Sequence, residues 1–429
     1  MRILVVGAYG LIGGYVTARL LSEGHSIIGV GRDVIMARRR LPGVDWRRLD
    51  LAAMDPTGWR PLLTGVQAVV NCAGVLQDSP SDSLKATHVT AIVALAEACV
   101  ASGIRRFVQI SAAGVETGAT AFNRTKREAD DALRGLELDW VILRPGLVLA
   151  PAAYGGSALL RGLAAFPGFI PAVHADAVVQ VVSVEDVVEA AARAVLPDAP
   201  AGYVADLVAP APTTLADILG ALRAWLGFSP APVIAVSTTV AGLGAGVADV
   251  LGLLGWRGSK RSTAIAQLAA GVRGDGGEGA RLIGFTLRSL EAMLAGWPSG
   301  VQERWFARLY FLKPLILVTL SIFWVVSGLV GLLHRDEASA LLTHVGFGAG
   351  LANGLVIAGA IVDLALGLLV CLRRTAPLAL IGMLAVSVTY VLAASLWRTN
   401  LWADPLGPLV KVFPAAILTV VGLALMEAR

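Results

Sequence analysis

The sequence predicts two architectures in one chain: a doubly wound α/β sheet of parallel strands, followed by a four-helix transmembrane bundle. Three observations lead to this prediction. The chain has 429 residues, which is too many for one ordinary core. In its first part, short apolar runs alternate with amphipathic stretches, an order typical of parallel sheets covered by helices. Only 15% of all residues are charged, and long apolar runs dominate roughly the last 120.

The first strand and the turn after it carry the most specific motif. Residues 2–6 form a strand apolar enough to be buried on both faces, and Gly7, Gly10 and Gly13 follow at once. Gly7 permits a sharp turn, Gly10 lets backbone N–H groups approach a pyrophosphate, and Gly13 lets the next helix pack closely on the sheet. This spacing between a strand and a helix predicts a dinucleotide-binding site.

The end of the second strand, residues 26–30, bears on the choice of cofactor. Arg32 and Asp33 both lie there. An acidic residue would hold the ribose 2′-OH of NAD, whereas an arginine would accept the 2′-phosphate of NADP. Because Arg32 comes first and follows the small Gly31, the sequence favours NADP, with NAD as the alternative.

Four further strands end at residues that should meet at the same edge of the sheet. They end at Asp50, whose carboxylate could meet the adenine amino group, at residues 71–74, at Ser111 and at Gly146. Ligands of such sheets bind beyond the carboxyl ends of the strands. The predicted cofactor-binding residues are Gly7, Tyr9, Gly10, Leu11, Ile12, Gly13, Arg32, Asp33, Asp50, Leu51, Cys72, Ala73, Gly74, Ser111, Lys126 and Pro145.

These motifs, together with Lys126 on the helix after the fifth strand and the segment "LRPG", resemble the extended and atypical short-chain dehydrogenase/reductase superfamily, which has a Rossmann sheet. The segment "VVSVEDVVEA" is similar to the "HVDDVA" segment of extended members. The nearest subgroup contains NmrA-like proteins and the accessory NADPH-binding subunit of respiratory complex I. The resemblance covers about residues 1–300, and it implies a tyrosine acid or base, a lysine that tunes it and a serine that polarises the substrate carbonyl.

The tyrosine of that catalytic set is absent. Ser111 and Lys126 match the serine and the lysine as catalytic candidates, but Phe122 stands four residues before Lys126. Because phenylalanine cannot exchange a proton, either Ser111 and Lys126 only bind the cofactor, or another group supplies the proton. Tyr154 and His174 are candidates for that group, although a packing tyrosine and an exposed loop histidine are the simpler interpretations. A hydride acceptor with its own proton supply, such as a quinone at a wet interface, would also remove the need for tyrosine.

We predict three domains: an NAD(P)-binding Rossmann domain over 1–210, cap and connector helices over 211–303, and a membrane domain over 304–429. The connector should contain an amphipathic helix opened by Thr213 or Thr214. The apolar, glycine-rich stretch 238–256 should form a buried or membrane-lying helix that covers the substrate crevice. Residues 273–281, "RGDGGEGAR", should form a flexible loop.

Four apolar stretches predict membrane spans, at 314–333, 351–372, 376–397 and 412–426. A hydrocarbon core of about 30 Å needs roughly twenty helical residues. Six basic residues flank the spans on one side against two or three on the other, which predicts a bacterial inner-membrane protein with both termini in the cytosol. The short N-terminal apolar run argues against a signal peptide.

The membrane part resembles the DoxX-like family in the stretches "WVVSGLVGL", "IVDLALGLL" and "DPLGPLVKVFPAAIL". Relatives of that family occur beside thiosulfate:quinone oxidoreductases, which implies a lipid-soluble redox partner. Asp363 lies inside the second span and should be paired within the bundle, with Lys411, Arg398 or Asn353 as possible partners, or should relay protons or contact a ligand. The predicted interfacial anchors are Tyr390, Trp397 and Trp402.

Other function classes find less support. The spacing of Cys72, Cys99 and Cys371 fits no metal site and no disulfide framework, so we predict no metal. A net charge of +4 without basic stretches interleaved with aromatics argues against a nucleic-acid partner. The arginines at 38–40 and 47–48 predict a solvated face that could also attract anionic lipid headgroups.

Three hypotheses follow from the sequence, and it indicates neither a substrate nor an oligomeric state. The first is a membrane-anchored oxidoreductase of the short-chain dehydrogenase/reductase type that uses NADPH on a hydrophobic, quinone or lipid-linked substrate. The second is a non-catalytic NADP-binding protein with a structural or redox-sensing role, motivated by Phe122. The third, membrane transport regulated by nucleotide, rests on Asp363 alone.

Overall fold

The computed structural model describes residues 1–79, 82–256 and 271–426. These residues divide into two compact units. The first, here called the sheet unit, comprises the described residues up to Asp249 and those from 271 to Ala307. The second, here called the helical unit, comprises the described residues from Val250 to 256 and from Arg308 onward.

A parallel sheet of seven strands forms the centre of the sheet unit, in the order β11-β6-β5-β4-β1-β2-β3. Every neighbouring pair in it is parallel. The predicted doubly wound α/β fold is therefore confirmed. The strands of the described residues are β1 (Arg2–Val6), β2 (Ser26–Gly31), β3 (Asp45–Arg48), β4 (Ala68–Asn71), β5 (Arg106–Ile110), β6 (Asp139–Pro145), β7 (Leu147–Leu149), β8 (Ile170–Ala172), β9 (Val178–Val179), β10 (Val181–Ser183), β11 (Tyr203–Leu207), β12 (Thr213–Thr214) and β13 (Val233–Ala235).

Helices cover both faces of this sheet, because successive side chains of a strand point to opposite faces. In β1, Ile3 and Val5 join one buried cluster, whereas Leu4 and Val6 join another on the other face. The helices of the sheet unit are α1 (Leu11–Ser22), α2 (Val34–Arg40), α3 (Pro56–Trp59), α4 (Ala91–Ala101), α5 (Ala121–Arg134), α6 (Gly155–Ala164), α7 (Val184–Ala194), α8 (Leu215–Trp225), α9 (Thr238–Leu253, which runs into the helical unit), α10 (Gly276–Ile283) and α11 (Leu290–Gly296).

Two predictions for the connector can be compared with the structure. Thr214 is the N-cap of α8, and its hydroxyl accepts a hydrogen bond from the Asp217 N–H, which confirms the predicted cap. The flexible loop predicted over 273–281 is wrong for most of its length, because α10 begins at Gly276. Asp275 caps this helix, and a Cβ at Gly279 would lie 1.9 Å from the Asp206 carbonyl oxygen. The glycines therefore allow α10 to pack on the backbone of β11.

The helical unit contains long apolar helices with small residues where they meet. A Cβ at Gly328 would lie 2.6 Å from the Ala360 carbonyl oxygen, and one at Gly367 would lie 2.9 Å from the Val325 nitrogen. Such close approach is typical of membrane helices. The helices are α12 (Val301–Leu333, which begins in the sheet unit), α13 (Arg335–Thr343), α14 (Ala349–Leu369), α15 (Ala376–Trp397) and α16 (Val412–Ala424).

Three of these helices, α12, α14 and α15, are long and apolar enough to cross a membrane by length and composition. They correspond to the first three predicted spans. The fourth predicted span, 412–426, coincides with α16, which is apolar but has only 13 residues. The described residues therefore contain three candidate spans and one shorter apolar helix, where the sequence predicted four spans.

Candidate functional site

The glycine turn brings three backbone segments into contact. Gly7 has a φ of 72°, and a Cβ on it would lie 2.9 Å from the Ala73 nitrogen. A Cβ on Gly13 would lie 2.1 Å from the Gly7 carbonyl oxygen. Gly10 is the N-cap of α1, and Leu11 and Ile12 begin that helix. No side chain could be accommodated at Gly7 or Gly13. The first amides of α1 have no carbonyl partner within the helix, which is the general property that lets helix N-termini bind anions.

Tyr9 connects this turn to the end of β2. Its ring lies against Gly31, where a Cβ would fall 2.0 Å from the ring carbon Cε1. Its hydroxyl accepts hydrogen bonds from the backbone N–H of Arg32 at 3.1 Å and of Asp33 at 3.2 Å. The Arg32 guanidinium donates to Asp82 at 2.6 Å. Both residues that bear on the choice of cofactor are thus anchored beside the glycine turn.

The predicted residues at the end of β3 also lie at this edge of the sheet. Asp50 is exposed, and its carboxylate accepts a hydrogen bond from the Ala52 N–H at 3.2 Å. This bond caps a short 3-10 turn, Leu51–Ala53. In this structure, therefore, the Asp50 carboxylate has a local partner as well as a place at the strand ends.

The end of β4 is held by side chains of the sheet. The side-chain amide of Asn71 donates to Gln109 Oε1 at 2.7 Å, and the side-chain oxygen of Asn71 accepts from the Ala73 N–H at 3.0 Å. Burial raises the pKa of the Cys72 thiol to about 12, so it stays protonated at neutral pH. Gly74 follows, and a Cβ there would lie 3.4 Å from the Lys126 amine. The predicted turn at 71–74 therefore borders Lys126.

Lys126 lies buried at the ends of β4 and β5, with 4% of its surface exposed. Its Nζ donates to the Ile110 carbonyl oxygen at 3.0 Å and to the Ala73 carbonyl oxygen at 3.3 Å. Burial lowers its pKa to about 8, while the charge of Asp130 acts in the opposite direction. The ammonium group is therefore charged at neutral pH and lies at the strand ends, as the resemblance implies.

Ser111 has a buried acidic partner that the sequence analysis missed. Its Oγ donates to Asp130 Oδ2 at 2.8 Å, and the same oxygen accepts from Arg144 Nε at 3.2 Å and Nη2 at 3.0 Å. Arg144 also pairs with Glu116 at 2.7 Å. Since a hydroxyl carries one proton, Ser111 directs it to Asp130 in this structure. Its role as the residue that polarises a substrate carbonyl remains a prediction.

Phe122 packs against a histidine that was also missed. The rings of Phe122 and His88 meet edge to face, with centroids 5.5 Å apart. His88 lies in a π-helical turn, where Nε2 accepts from the Val75 N–H at 3.1 Å and Nδ1 contacts Thr125 Oγ1 at 2.8 Å. Burial, reinforced by the charge of Lys126, lowers its pKa to about 2, so the ring is neutral. A lone histidine in an apolar helix gives no sequence signal for this position.

The remaining predicted residues lie on loops or at strand ends. Pro145 is buried at the end of β6, and its carbonyl oxygen accepts from the Ala113 N–H at 2.9 Å. Tyr154 precedes α6 with 37% of its surface exposed. His174 is exposed in a turn, with a φ of 53°. As alternative proton donors, Tyr154 and His174 remain predictions.

The buried acid of the helical unit has two hydroxyl partners. Asp363 on α14 is 4% exposed and accepts from Ser327 Oγ at 2.8 Å and from the Tyr390 hydroxyl at 3.2 Å. The predicted partners, Lys411, Arg398 and Asn353, were wrong, since the first two flank helix ends and neighbouring helices supply hydroxyls instead. Tyr390, predicted as an interfacial anchor, directs its hydroxyl to Asp363.

Comparison with protein families gives the same two-part division. Residues 7–193 match the NAD(P)H-binding family, and residues 321–420 match the DoxX-like family. The chain joins an NAD(P)H-binding domain to a DoxX-like domain. Both resemblances stated from the sequence are thereby confirmed at the level of these domains.

Curated relatives match roughly half of the chain. The uncharacterized protein Rv2047c of Mycobacterium tuberculosis is 29% identical over 224 residues, which are 52% of this chain and 23% of that protein. The ceramide reductase of Caulobacter vibrioides is 25% identical over 189 residues, 43% of this chain and 57% of the reductase. The chain thus spans less than two thirds of the length of either relative.

Solved structures with a similar fold cover more than two thirds of the chain. MoeE5 in complex with UDP-glucuronic acid and NAD superposes with a TM-score of 0.53 at 21% identity, covering 72% of this chain and all (100%) of MoeE5. The NADPH-dependent quinone oxidoreductase QOR2 of Escherichia coli, complexed with NADPH, gives a TM-score of 0.54 at 18% identity, covering 68% and 98%. MoeE5 was solved with NAD and QOR2 with NADPH, and at these identities the two likenesses show the fold alone.

Proposed function

We propose that this protein is a membrane-anchored, NADPH-dependent oxidoreductase that acts on a hydrophobic substrate such as a quinone or a lipid-linked compound. One observation carries the proposal: a dinucleotide-binding turn and a buried lysine at the strand ends occur in the same chain as a DoxX-like domain of apolar helices. The domains predicted over 1–210, 211–303 and 304–429 would then serve as cofactor site, cap and anchor.

The residues present fit a dinucleotide. A Cβ on Gly7 or Gly13 would collide with backbone atoms, so these glycines permit the tight turn that directs the first amides of α1 toward the place where a pyrophosphate would bind. Lys126 would hold the nicotinamide ribose through its ammonium group. Two arginines favour the phosphorylated cofactor, because Arg32 directly follows β2 and Arg48 lies opposite Gly31 in the register of β3. A 2′-phosphate would compete with Asp82 for Arg32.

Phe122 in place of the tyrosine acid limits the class of substrates that this site could reduce. When bound, NADPH supplies a hydride, which is two electrons and one proton, and a quinone that accepts it needs one further proton, from water, to become a quinol. Phe122 and the neutral His88 place uncharged rings beside Lys126 and donate no proton to a substrate. A quinone or another acceptor with its own proton supply therefore suits this site better than a simple ketone.

The names of similar proteins support the substrate class. The Caulobacter relative is a ceramide reductase, and QOR2 is a quinone oxidoreductase. We further propose that the DoxX-like domain crosses a bacterial inner membrane four times with both termini in the cytosol, supported by six basic residues against two or three on the two sides. The cofactor would then be taken from the cytosolic pool and the substrate from the bilayer.

The experiment uses the full-length chain in lipid nanodiscs. Oxidation of NADPH is followed by its absorbance in the presence of a short-chain quinone, with Lys126→Met as the comparison variant. The expected result is quinone-dependent oxidation by the wild type that Lys126→Met reduces strongly. Tight retention of NADPH without oxidation by any lipid-soluble acceptor would contradict the proposal.

A second candidate is a non-catalytic NADP-binding protein with a structural or redox-sensing role. Two observations favour it: Phe122 replaces the acid, and the Ser111 hydroxyl is hydrogen-bonded to Asp130. Under this hypothesis Phe122→Tyr leaves activity at zero, because Ser111 is still engaged. Any measurable turnover by the wild-type protein rules this candidate out.

A further inference from the structure

We propose that Asp130 is a positioning residue that keeps Lys126 charged, so that the lysine binds the cofactor ribose at neutral pH. The inference rests on the proposed function, which assigns Lys126 to that ribose. Asp130 itself touches neither the cofactor nor the substrate in this scheme. It acts through the lysine.

Both side chains project from the same helix, α5, toward the buried end of β5. Asp130 follows Lys126 by four residues on α5, and side chains at this spacing lie on the same face of a helix. Asp130 is 0% exposed and Lys126 is 4% exposed. Both reach the end of β5: Lys126 donates to the Ile110 carbonyl oxygen at 3.0 Å, and Ser111 donates to Asp130 at 2.8 Å.

Arg144 neutralises the negative charge of Asp130 only in part. Arg144 contacts only Oδ2 of Asp130, and it shares its own charge with Glu116 at 2.7 Å. Oδ1 of Asp130 is buried and has no hydrogen-bond partner within the described part of the chain. A buried carboxylate with one unsatisfied oxygen strongly favours a nearby cation.

Two other titratable groups face Lys126, and both are neutral. Burial raises the pKa of Cys72 to about 12 and lowers the pKa of His88 to about 2. Burial also lowers the pKa of Lys126 to about 8, against the opposing charge of Asp130. Burial raises the pKa of Asp130 too, while the hydrogen bond from Ser111 and the charge of Arg144 act in the opposite direction. Lys126 is therefore charged below about pH 8, and the ionised form of Asp130 provides the counter-charge that keeps this transition above neutral pH.

The test is the pH dependence of NADPH binding to full-length protein in detergent micelles, compared between Asp130→Asn and Asp131→Asn. Asp131 is the matched control, since it is the next residue of α5, more than half exposed, and paired with Arg134. Wild-type affinity should fall as the pH rises through about 8, when Lys126 loses its charge. In Asp130→Asn the midpoint of this fall should move down by about one pH unit or more, whereas Asp131→Asn should match the wild type.

Further variants separate a positioning role from a structural one. Arg144→Gln removes the competing guanidinium but keeps an amide donor for Asp130, so the midpoint should move to higher pH. If Asp130→Asn fails to fold, the shift of the midpoint in Arg144→Gln still tests the inference. In a Lys126→Met background the pH step should disappear, and Asp130→Asn should not restore it.

Three results would contradict the inference, and each can be distinguished from the others. If Asp130→Asn weakens binding equally at every pH and leaves the midpoint in place, Asp130 is only structural and the inference is overturned. Wild-type binding that shows no step near pH 8 overturns it as well, while leaving the proposed function intact. A wild-type protein that binds neither NADPH nor NADH at any pH refutes the proposed function and this inference together.

Discussion

Replacing Gly13 by alanine should abolish tight cofactor binding, whereas the same change at Gly14, the next residue of α1, should not. A Cβ on Gly13 would lie 2.1 Å from the Gly7 carbonyl oxygen and 2.9 Å from the Gly7 carbonyl carbon. These are backbone atoms and cannot rotate away. At Gly14, the nearest atoms to a new Cβ lie 3.9 Å away, which is ordinary van der Waals contact.

The size of the effect follows from these distances. Ordinary contact begins near 3.4 Å, so α1 must move by about 1 Å to admit the methyl group at Gly13. Overpacking of this kind costs about 1–3 kcal/mol of stability. It also displaces the first amides of α1, and losing two charge-assisted hydrogen bonds of about 1.5 kcal/mol each weakens binding roughly a hundredfold. Gly14→Ala should instead stabilise α1 by up to about 1 kcal/mol.

The assay measures NADPH affinity and thermal unfolding on the same preparations of full-length protein. Fluorescence titration gives the dissociation constant, and the unfolding scan shows that each variant is folded at the assay temperature. The reasoning is refuted if Gly13→Ala binds NADPH within about threefold of the wild type, or if Gly14→Ala loses as much affinity as Gly13→Ala.

Three further predictions concern the choice of cofactor and the helical unit. Arg32→Ala should weaken NADPH binding by about tenfold or more while changing NADH binding little, because a charge-assisted hydrogen bond is worth about 1.5–3 kcal/mol. Equal losses of NADPH and NADH affinity in parallel titrations would argue against a 2′-phosphate contact. Gly328→Ala should lower the thermal stability in detergent, since its Cβ would lie 2.6 Å from the Ala360 carbonyl oxygen, whereas Gly354→Ala, with no atom within 4 Å, should be tolerated; the comparison fails if both behave alike. Asp363→Leu should destabilise the helical unit by about 1–3 kcal/mol, because it leaves the Ser327 and Tyr390 hydroxyls without an acceptor, whereas Asp363→Asn keeps one acceptor and should lose less; identical unfolding temperatures would contradict this.

The central strands were predictable because burial on both faces imposes continuous apolar runs, as in β1 and β4. The seventh strand, β11, was missed because it lies at the sheet edge, where Tyr203 and Val204 are only half buried and Asp206 interrupts the apolar run. Helix α10 was missed for a related reason. Its glycines have low helix propensity, but Gly279 is required by contact with the Asp206 backbone, so packing overrides propensity.

The sequence predicted where the residues of the candidate site lie better than it predicted which side chains they contact. Parallel topology places all strand ends at one edge, so Gly7, Arg32 and Lys126 could be assigned there from spacing alone. The contacts of Ser111 with Asp130 and of Phe122 with His88 depend on burial and side-chain orientation, which one sequence does not encode locally. The partners of Asp363 likewise depend on how each helix is rotated about its axis.

One buried cluster of the sheet unit combines residues from the beginning and from the end of its sequence. Ile3 and Val5 of β1 belong to the same buried cluster as Ile283 and Leu287. During translation, the first strand must therefore wait for nearly the whole unit to be synthesised before its cluster is complete. Helix α12 begins only shortly afterwards, at Val301, so the ribosome delivers the closing segment and the first apolar helix almost together.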